Sequence, residues 1–451
     1  MAKRYEKYKD SGIAWIGEIP EHWEVCRFKF ITSKIGDGLH GTPLYDEEGD
    51  YYFINGNNLG SKRIELKDST KKLNYLEFVK YEKDIAENSL LISLNGTIGS
   101  VSLYNNEPIV LSKSAGYLVL KTSQQRDFIY HVSNSVITNT FWMLSISGTT
   151  IANLSLEALR NTYVVSVPFC EQEQIAKYLD WKCGEIDRIV EVRERQIKLL
   201  GELRTSVISC AVTRGLNPNA PLKDSGIDWI GQIPEHWDYK RIKFCVSKSF
   251  AGVWGDDASG NKNDVRCYRV ADFDYEKLSL NDKNPTYRNV DKNTFIQREV
   301  KYNDILIEKS GGGDITPVGR AILVNLQTKA ICSNFVHCVK VHSNTHNKFL
   351  LYTLHSMYSK RINLLHFNQT TGIQNLKVAE YLSNAIYLPN FAEQQQIAEY
   401  LDKKTAEIDS TINKYKMQID KLKEYRQALI TEVVTGKIDI RGIEIPTPKS
   451  N

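Results

Sequence analysis

No apolar run in this 451-residue chain approaches the ~20 residues that a membrane-spanning helix needs, so no membrane partner is expected. The opening residues, MAKRYEKYKD, are too polar for a secretory signal, which makes the cytoplasm the expected location. The eight cysteines include no C-x-x-C pair, a distribution that fits reduced thiols and excludes a disulfide framework. Cys332, His337, Cys338 and His342 do cluster. The apolar residues among them (Ile331, Phe335, Val339, Val341) mark a strand with buried thiols, and no metal is expected. A strong charge of one sign is missing too: the net charge is +4, to which segments 171–214 and 393–439 contribute 0 and −1. The modest positive surplus lies in the rest of the chain.

Signatures of catalysis are equally scarce. The patterns G-x-x-x-x-G-K-[ST], G-x-S-x-G and H-E-x-x-H do not occur. Gly311-Gly312-Gly313 is followed by Pro317 and no helix start, so it reads as a binding loop and not as a cofactor cradle. Asn284-Pro285-Thr286-Tyr287 approximates an amino-methyltransferase tetrapeptide but carries Thr286 where proline belongs. Glu65-Leu66-Lys67 matches only the end of a metal-nuclease motif. An enzyme is not supported, and no cofactor is expected in this chain.

What is present is a large folded chain. At ~150 residues per domain its length suggests about three units, and 41% hydrophobic with 25% charged residues is an ordinary globular composition. An internal duplication organises it. DSGIAWIGEIPEHW at 10–23 returns as DSGIDWIGQIPEHW at 224–237, identical at twelve of fourteen positions. EQEQIAKYLD at 171–180 returns as EQQQIAEYLD at 393–402, with Glu185-Ile186-Asp187 echoed by Glu407-Ile408-Asp409. The offsets are 214 and 222, so the second copy holds eight more residues between its landmarks. Two copies are too few for a solenoid and suggest a pseudo-twofold molecule.

Each copy reads alike: a leading motif, a middle of mixed strand and helix signals, a hinge at Pro168 or Pro389, and a long helix. In the leading motif Trp15, Ile16, Ile19 and Trp23 are expected to pin an irregular segment by packing. Strand signals in the first middle are YYFI at 51–54, SLLISL at 89–94, SVSLY at 100–104 and GYLVL at 116–120. In the second they are CYRVADF at 267–273, DILIEK at 304–309, RAILVNL at 320–326 and NFVHCVKV at 334–341. Each middle is thus a small α/β or α+β domain. The middles differ far more than the ends, which places variation where something is being read.

The proline-free stretch from Glu171 to Thr213 carries apolar residues in steps of four and three: Ile186, Val190, Ile197, Leu200, Val207 and Ala211. At an offset of 222 the seam recurs as Ile408, Ile412, Tyr415, Ile419, Leu422, Leu429 and Val433. Matching seams favour mutual pairing, and a twofold within one chain makes the pair antiparallel. At 1.5 Å per residue, ~43 helical residues span roughly 65 Å, enough to act as a ruler between two domains.

Polar, glycine-punctuated loops in the middles suit hydrogen bonding to base edges and phosphates. In the first copy they supply Lys34, Asp37, Gly38, His40 and Thr42, then Asn55, Asn57 and Asn58, then Asn95 and Thr97, then Thr149 and Thr150. In the second they supply Trp254, then Lys309, Ser310 and Gly312, then Gln369, Thr370, Thr371 and Gln374. Asn and Gln pair bidentately with adenine, Arg and Lys with guanine.

The repeated D-S-G-I-x-W-I-G-x-I-P-E-H-W, the E-Q-x-Q-I-A-x-Y-L-D helix openings and the two seams resemble the specificity subunit of a type I restriction-modification system over nearly the whole chain. The resemblance implies two target recognition domains, 1–168 and 215–389, each reading half of a split site on double-stranded DNA. It implies that the helices at 169–214 and 390–439 form an antiparallel coiled coil separating them, with a tail at 440–451. It also implies a non-catalytic chain on which two modification subunits dock, bringing S-adenosylmethionine, and which two restriction subunits using ATP and Mg can join. Asp37-Gly38-Leu39-His40-Gly41-Thr42-Pro43 is similar to a motif early in such domains, from which Ala251-Gly252-Val253-Trp254-Gly255 departs. Ser147–Asn153 and Gln369–Asn375 resemble the loop before the last domain helix. A stand-alone DNA methyltransferase or nuclease, and a coiled-coil adaptor with no role on DNA, stay open as other readings.

Overall fold

Ser89–Ser93 is a run of five buried residues whose alternating side chains serve two cores. Leu90 and Ile92 join Leu118, Leu120, Phe128 and Leu159 on one face, while Leu91 joins Leu111, Tyr117 and Val119 on the other. The strand's centre, Leu90, Leu91 and Ile92, is continuously apolar because both faces of its sheet are covered. That antiparallel sheet has the order Thr32–Asp37, Ala115–Leu120, Ser89–Ser93, Val101–Leu103. A three-stranded sheet, Lys71–Leu73, Tyr51–Ile54 and Ile109–Leu111, contributes to the second core, and Tyr51–Ile54 runs parallel to Ile109–Leu111. The helices Arg126–Ser133 and Leu156–Asn161 contribute to the first.

The second copy repeats this plan. Ile305 and Ile307 face one core, and Leu306 faces another with Phe250, Ile322 and Cys338. Its larger sheet runs Val246–Ala251, Val336–Val341, Ile305–Glu308, Ala321–Leu323, Ser279–Leu280, Phe273–Asp274. The helix Asn347–Ser359 buries Phe349, Leu350 and Leu354 against it. Seven of the eight strand signals fall on strands. The eighth is corrected: Asp264–Tyr268 is the strand, and Val270–Asp272 is a 3-10 turn closed by the Asp272 carboxylate, which accepts the Arg269 backbone N–H at 2.9 Å.

The computed structural model describes residues 3–60, 62–122, 126–146, 152–370 and 372–446. It divides into two compact units, Met1–Glu194 with Lys416–Asn451, and Arg195–Tyr415. Both borders fall inside long helices, Phe169–Arg214 and Phe391–Val434. In unit 1 the two helices run antiparallel: Arg426 meets Asp187 at 3.0 Å, while Gln174, further back on the first helix, donates at 2.9 Å to the carbonyl of Ile443, beyond the end of the second. In unit 2 Arg204 meets Asp409 at 3.2 Å. The two ion pairs are one pair at the helix offset of 222, with the partners exchanged. Of the seam positions, Ile186, Ile408, Ile419 and Leu429 are buried, and Val190, Ile197, Leu200, Val207, Ile412 and Leu422 are half-buried.

The leading motifs are more regular than expected. Each forms a hairpin, Tyr8–Asp10 with Glu18–Pro20 and Leu222–Asp224 with Gln232–Pro234, turned at Gly17 and Gly231 with φ of +69° and +72°. Ile16, Ile19 and Trp23 are buried, but Trp15 is 47% exposed and stacks on Phe141 with ring centroids 5.8 Å apart.

Candidate nucleic-acid interface

The two repeated motifs meet. In unit 1 the Glu171 carboxylate accepts from His22 Nε2 at 2.7 Å, Trp23 Nε1 at 3.1 Å and the Tyr5 hydroxyl at 3.1 Å. In unit 2 Glu393 accepts from His236 Nε2 at 2.8 Å and Trp237 Nε1 at 3.1 Å. The next residues, Gln172 and Gln394, donate to the carbonyls of Val167 and Pro389. These bonds fix the start of each long helix to the leading motif of its own copy. Burial, reinforced by the Glu171 charge, pushes the Tyr5 phenol far above its ordinary range.

In unit 1 three of the four predicted loops converge. The Leu39 backbone N–H donates to the Leu111 carbonyl at 2.7 Å, and a Cβ on Gly38 would lie 2.1 Å from that oxygen, so only glycine fits this crossing. Thr97 Oγ1 donates to the Gly56 carbonyl at 3.0 Å, and the Gly56 N–H donates to Ser114 Oγ at 2.9 Å. Asn95 bridges Asn153, at the end of the fourth loop. Asn57, His40 and Thr42 are exposed on this surface, with His40 Nε2 2.7 Å from Asp37 Oδ2.

Unit 2 builds the same constellation from unlike residues. A Cβ on Gly252 would lie 2.1 Å from the Ser333 carbonyl oxygen, the same close crossing at the offset of 214. The departure of Ala251–Gly255 from the first copy thus leaves the scaffold role of its glycine intact. Trp254 stands where His40 does, Arg269 and Ala271 stand for Asn55 and Asn57, and Asp272 stands for Asn58. Ser310 pairs with Asn375 as Asn95 does with Asn153. Here the loops enclose an open cavity of about 490 Å³ lined by Trp254, Arg269, Glu308, Ser310, Gly312 and Phe335. Its buried Glu308 is neutralised by Arg320 Nε at 2.8 Å, and Tyr275 donates to the same carboxylate at 3.4 Å. Arg288 lies over the Trp254 ring at 4.5 Å and donates to the Trp254 carbonyl.

A family model described as the type I restriction modification DNA specificity domain matches residues 20–197 and 271–420, more than half of the chain. The chain belongs to this family. It is 24% identical to the type I restriction enzyme MjaVIII specificity subunit of Methanocaldococcus jannaschii, over 94% of this chain and 95% of that one. It is 21% identical to the EcoBI specificity subunit of Escherichia coli, over 77% and 73%. A chain solved in work on complex assembly and conformational transition of the type I R-M system shares the fold with a TM-score of 0.68 at 16% identity, covering 93% of this chain and 99% of that one.

The remaining candidates of this specificity-family chain divide by orientation. Lys34 is exposed and Gln369 is exposed on the strand Phe367–Thr370. Lys309 is half-buried, and the Gly312 backbone has φ +66°. Asn55 is half-buried and its N–H donates to Asn58 Oδ1. Asn58 and Gln374 are 3% and 2% exposed and hold their loops: Asn58 donates to the Glu65 carbonyl, and Gln374 Oε1 accepts the Val318 N–H. Thr149, Thr150 and Thr371 lie outside the described residues, as does the side chain of Thr370. Sequence reasoning missed Arg269, Asn334 and Phe335, which line the cavity of unit 2. The signal for Arg269 was the 214 offset, which sets it opposite Asn55. Burial pushes the Cys332 and Cys338 thiols up, and among the described residues no three His, Cys, Asp or Glu side chains converge as metal ligands. No helix among them is long and apolar enough to cross a membrane.

Proposed function

We propose that this chain is the DNA sequence-specificity subunit of a type I restriction-modification complex, each unit reading one half of a bipartite site. The observation that carries this is one loop scaffold built twice, with different side chains at matching places: His40 and Trp254, Asn55 and Arg269, Asn57 and Ala271. A scaffold that keeps its glycine crossing while changing its exposed chemistry suits two readers of unlike sequences. A relative named as a specificity subunit, matched along 94% of this chain, supports the same reading. Phosphate contacts would come partly from partner chains, since this chain's own charge surplus is small.

Two modification subunits carrying S-adenosylmethionine would dock on the long helices, and restriction subunits using ATP and Mg would join them. Solvent-facing apolar residues on the first long helix, Ile189 and Val192 in unit 1 and Leu199 and Leu203 in unit 2, offer surface for that docking. Catalysis would then belong to the partners. The helices would set the gap between the half-sites, and adding four residues, about one turn or ~6 Å, to one of them should change the tolerated gap.

The deciding experiment maps methylated adenines genome-wide with and without this chain. A split motif that appears with the chain, and changes in one half only when residues 30–165 are exchanged for another such segment, supports the reading. Change in both halves overturns the assignment of one half-site to each unit. Methyl transfer or cleavage by the purified chain alone would favour a stand-alone enzyme.

A further inference from the structure

We infer that Arg269 is a specificity-determining residue of unit 2 and contacts the major-groove edge of a guanine. This rests on the reading of that unit as a half-site reader.

Arg269 follows the strand Asp264–Tyr268 and lines the cavity with Trp254 and Phe335, which are 40% and 43% exposed. Its position is fixed twice by one carboxylate. Asp272, 4% exposed, accepts the Arg269 backbone N–H at 2.9 Å through Oδ2 and the guanidinium Nη2 at 3.1 Å through Oδ1. Nη2 also donates to the Asn284 carbonyl at 3.4 Å. Nε is buried, so with Nη2 held on Asp272 and Asn284 the part of the 33% exposed side chain left to meet a bound acceptor is Nη1.

An oriented arginine with donors still to be satisfied is matched by the paired O6 and N7 acceptors of guanine. The flanking aromatics favour the groove over a phosphate, because apolar side chains pack on the thymine methyl groups of neighbouring base pairs and offer nothing to a charged phosphate. The other unit supplies the comparison. Asn55 occupies the same place, and its N–H donates to Asn58 Oδ1 at 3.0 Å, the counterpart of the Arg269 to Asp272 bond. One scaffold therefore presents arginine in one unit and asparagine in the other, the side chains that discriminate guanine from adenine. Asp272 acts as a positioning residue.

The test selects duplexes from a randomised library with the full chain assembled with modification subunits, and sequences what is bound. With the unaltered chain the library should yield a split motif; its absence would sink the half-site reading itself. Arg269→Ala should lower discrimination at one G·C pair of one half by roughly 5- to 150-fold and leave the other half unchanged. Arg269→Lys, which keeps the charge and volume but not the fork, should retain overall affinity while losing much of that discrimination, and it decides the matter if the alanine variant fails to assemble. An unchanged motif, or weakening uniform across all sequences as a phosphate contact would give, overturns the guanine assignment and leaves the half-site reading standing.

Discussion

Glu171 gathers three donors at the junction of the two repeated motifs, and its removal has a calculable cost. Trp23 and Tyr5 are 0% and 5% exposed, so in Glu171→Ala the indole N–H and the phenol hydroxyl lose their acceptor without water to replace it. At ~1–3 kcal/mol for each stranded buried donor, the loss is about 4 kcal/mol, with His22 adding less because it is partly in solvent. The equivalent Glu393→Ala strands one buried donor, Trp237 at 1% exposed, and the Glu393 side chain is itself more exposed than that of Glu171, 24% against 10%. Its cost is about 2 kcal/mol. In a unit of this size 1 kcal/mol moves the midpoint by ~2–4 °C, so calorimetry of the full chain should show shifts of about 12 °C and about 6 °C. Glu171→Gln keeps one carbonyl acceptor and should fall about halfway. Equal shifts for the two alanine variants, or a smaller one for Glu171→Ala, would refute the reasoning.

Acid should weaken unit 2 through two histidines. His337 and His355 are each held down to about 4, mainly by burial and further by Lys309 and Arg298 for the former and Arg204 for the latter. An unfolded histidine titrates near ~6.5, so the stabilisation is complete above that pH and is lost as pH falls toward the folded value. Denaturant midpoints at pH 7 and 4.5 should differ less in the His337→Gln, His355→Gln double variant than in the parent chain. Double-mutant cycles should give about 1 kcal/mol of coupling for Arg204 with Asp409, whose side chains are 12% and 33% exposed. The Arg426 and Asp187 pair, at 24% and 58%, should give less. Lastly, the Asp439 N–H donates to the Lys3 carbonyl at 2.7 Å and Tyr8 donates to the Gly436 carbonyl at 2.9 Å. A circular permutant joined there by a short linker and opened between Asn217 and Ala220 should therefore keep the parent's thermal midpoint, as circular dichroism would show.

The parts legible in the sequence were those where chemistry is local or repeated. Ser89–Ser93 and Ile305–Glu308 announced themselves because strands covered on both faces have continuous apolar centres, Leu90 to Ile92 and Ile305 to Ile307. The seams did so because 3.5-residue steps leave a mark over forty residues. Orientation was not legible. Asn57 and Asn58 are neighbours of identical chemistry, yet the first is exposed and the second is 3% exposed and bonded to the Glu65 carbonyl. Which of them turns inward is decided by the 3-10 turn at Gly56–Asn58, a feature of backbone path that residue type does not encode. Arg269 was hidden differently: CYRVADF has the apolar alternation of a strand, and only the carboxylate at Asp272 converts its second half into a turn.

The offset between the copies localises their divergence. It is 214 from the leading motif through Asn58 and Asp272, 221 where the crossing glycines meet Ser112 and Ser333, and 222 from Asn153 and Asn375 onward. Nearly all of the eight-residue difference therefore falls between Asp272 and Ser333, within the stretch that holds the loop Lys309–Asp314. The two loops before it keep their lengths while their exposed side chains change. Length is constrained where backbone crosses backbone, at Gly38 and Gly252, because an added residue there would break the hydrogen bond from Leu39 to Leu111 or from Val253 to Cys332. Side-chain identity at His40 or Trp254 is free of that constraint, since His40 is 71% exposed and Trp254 lines the open cavity. New specificity can thus arise by substitution in the first two loops and by insertion in the third, without disturbing the carboxylate anchors that seat each long helix.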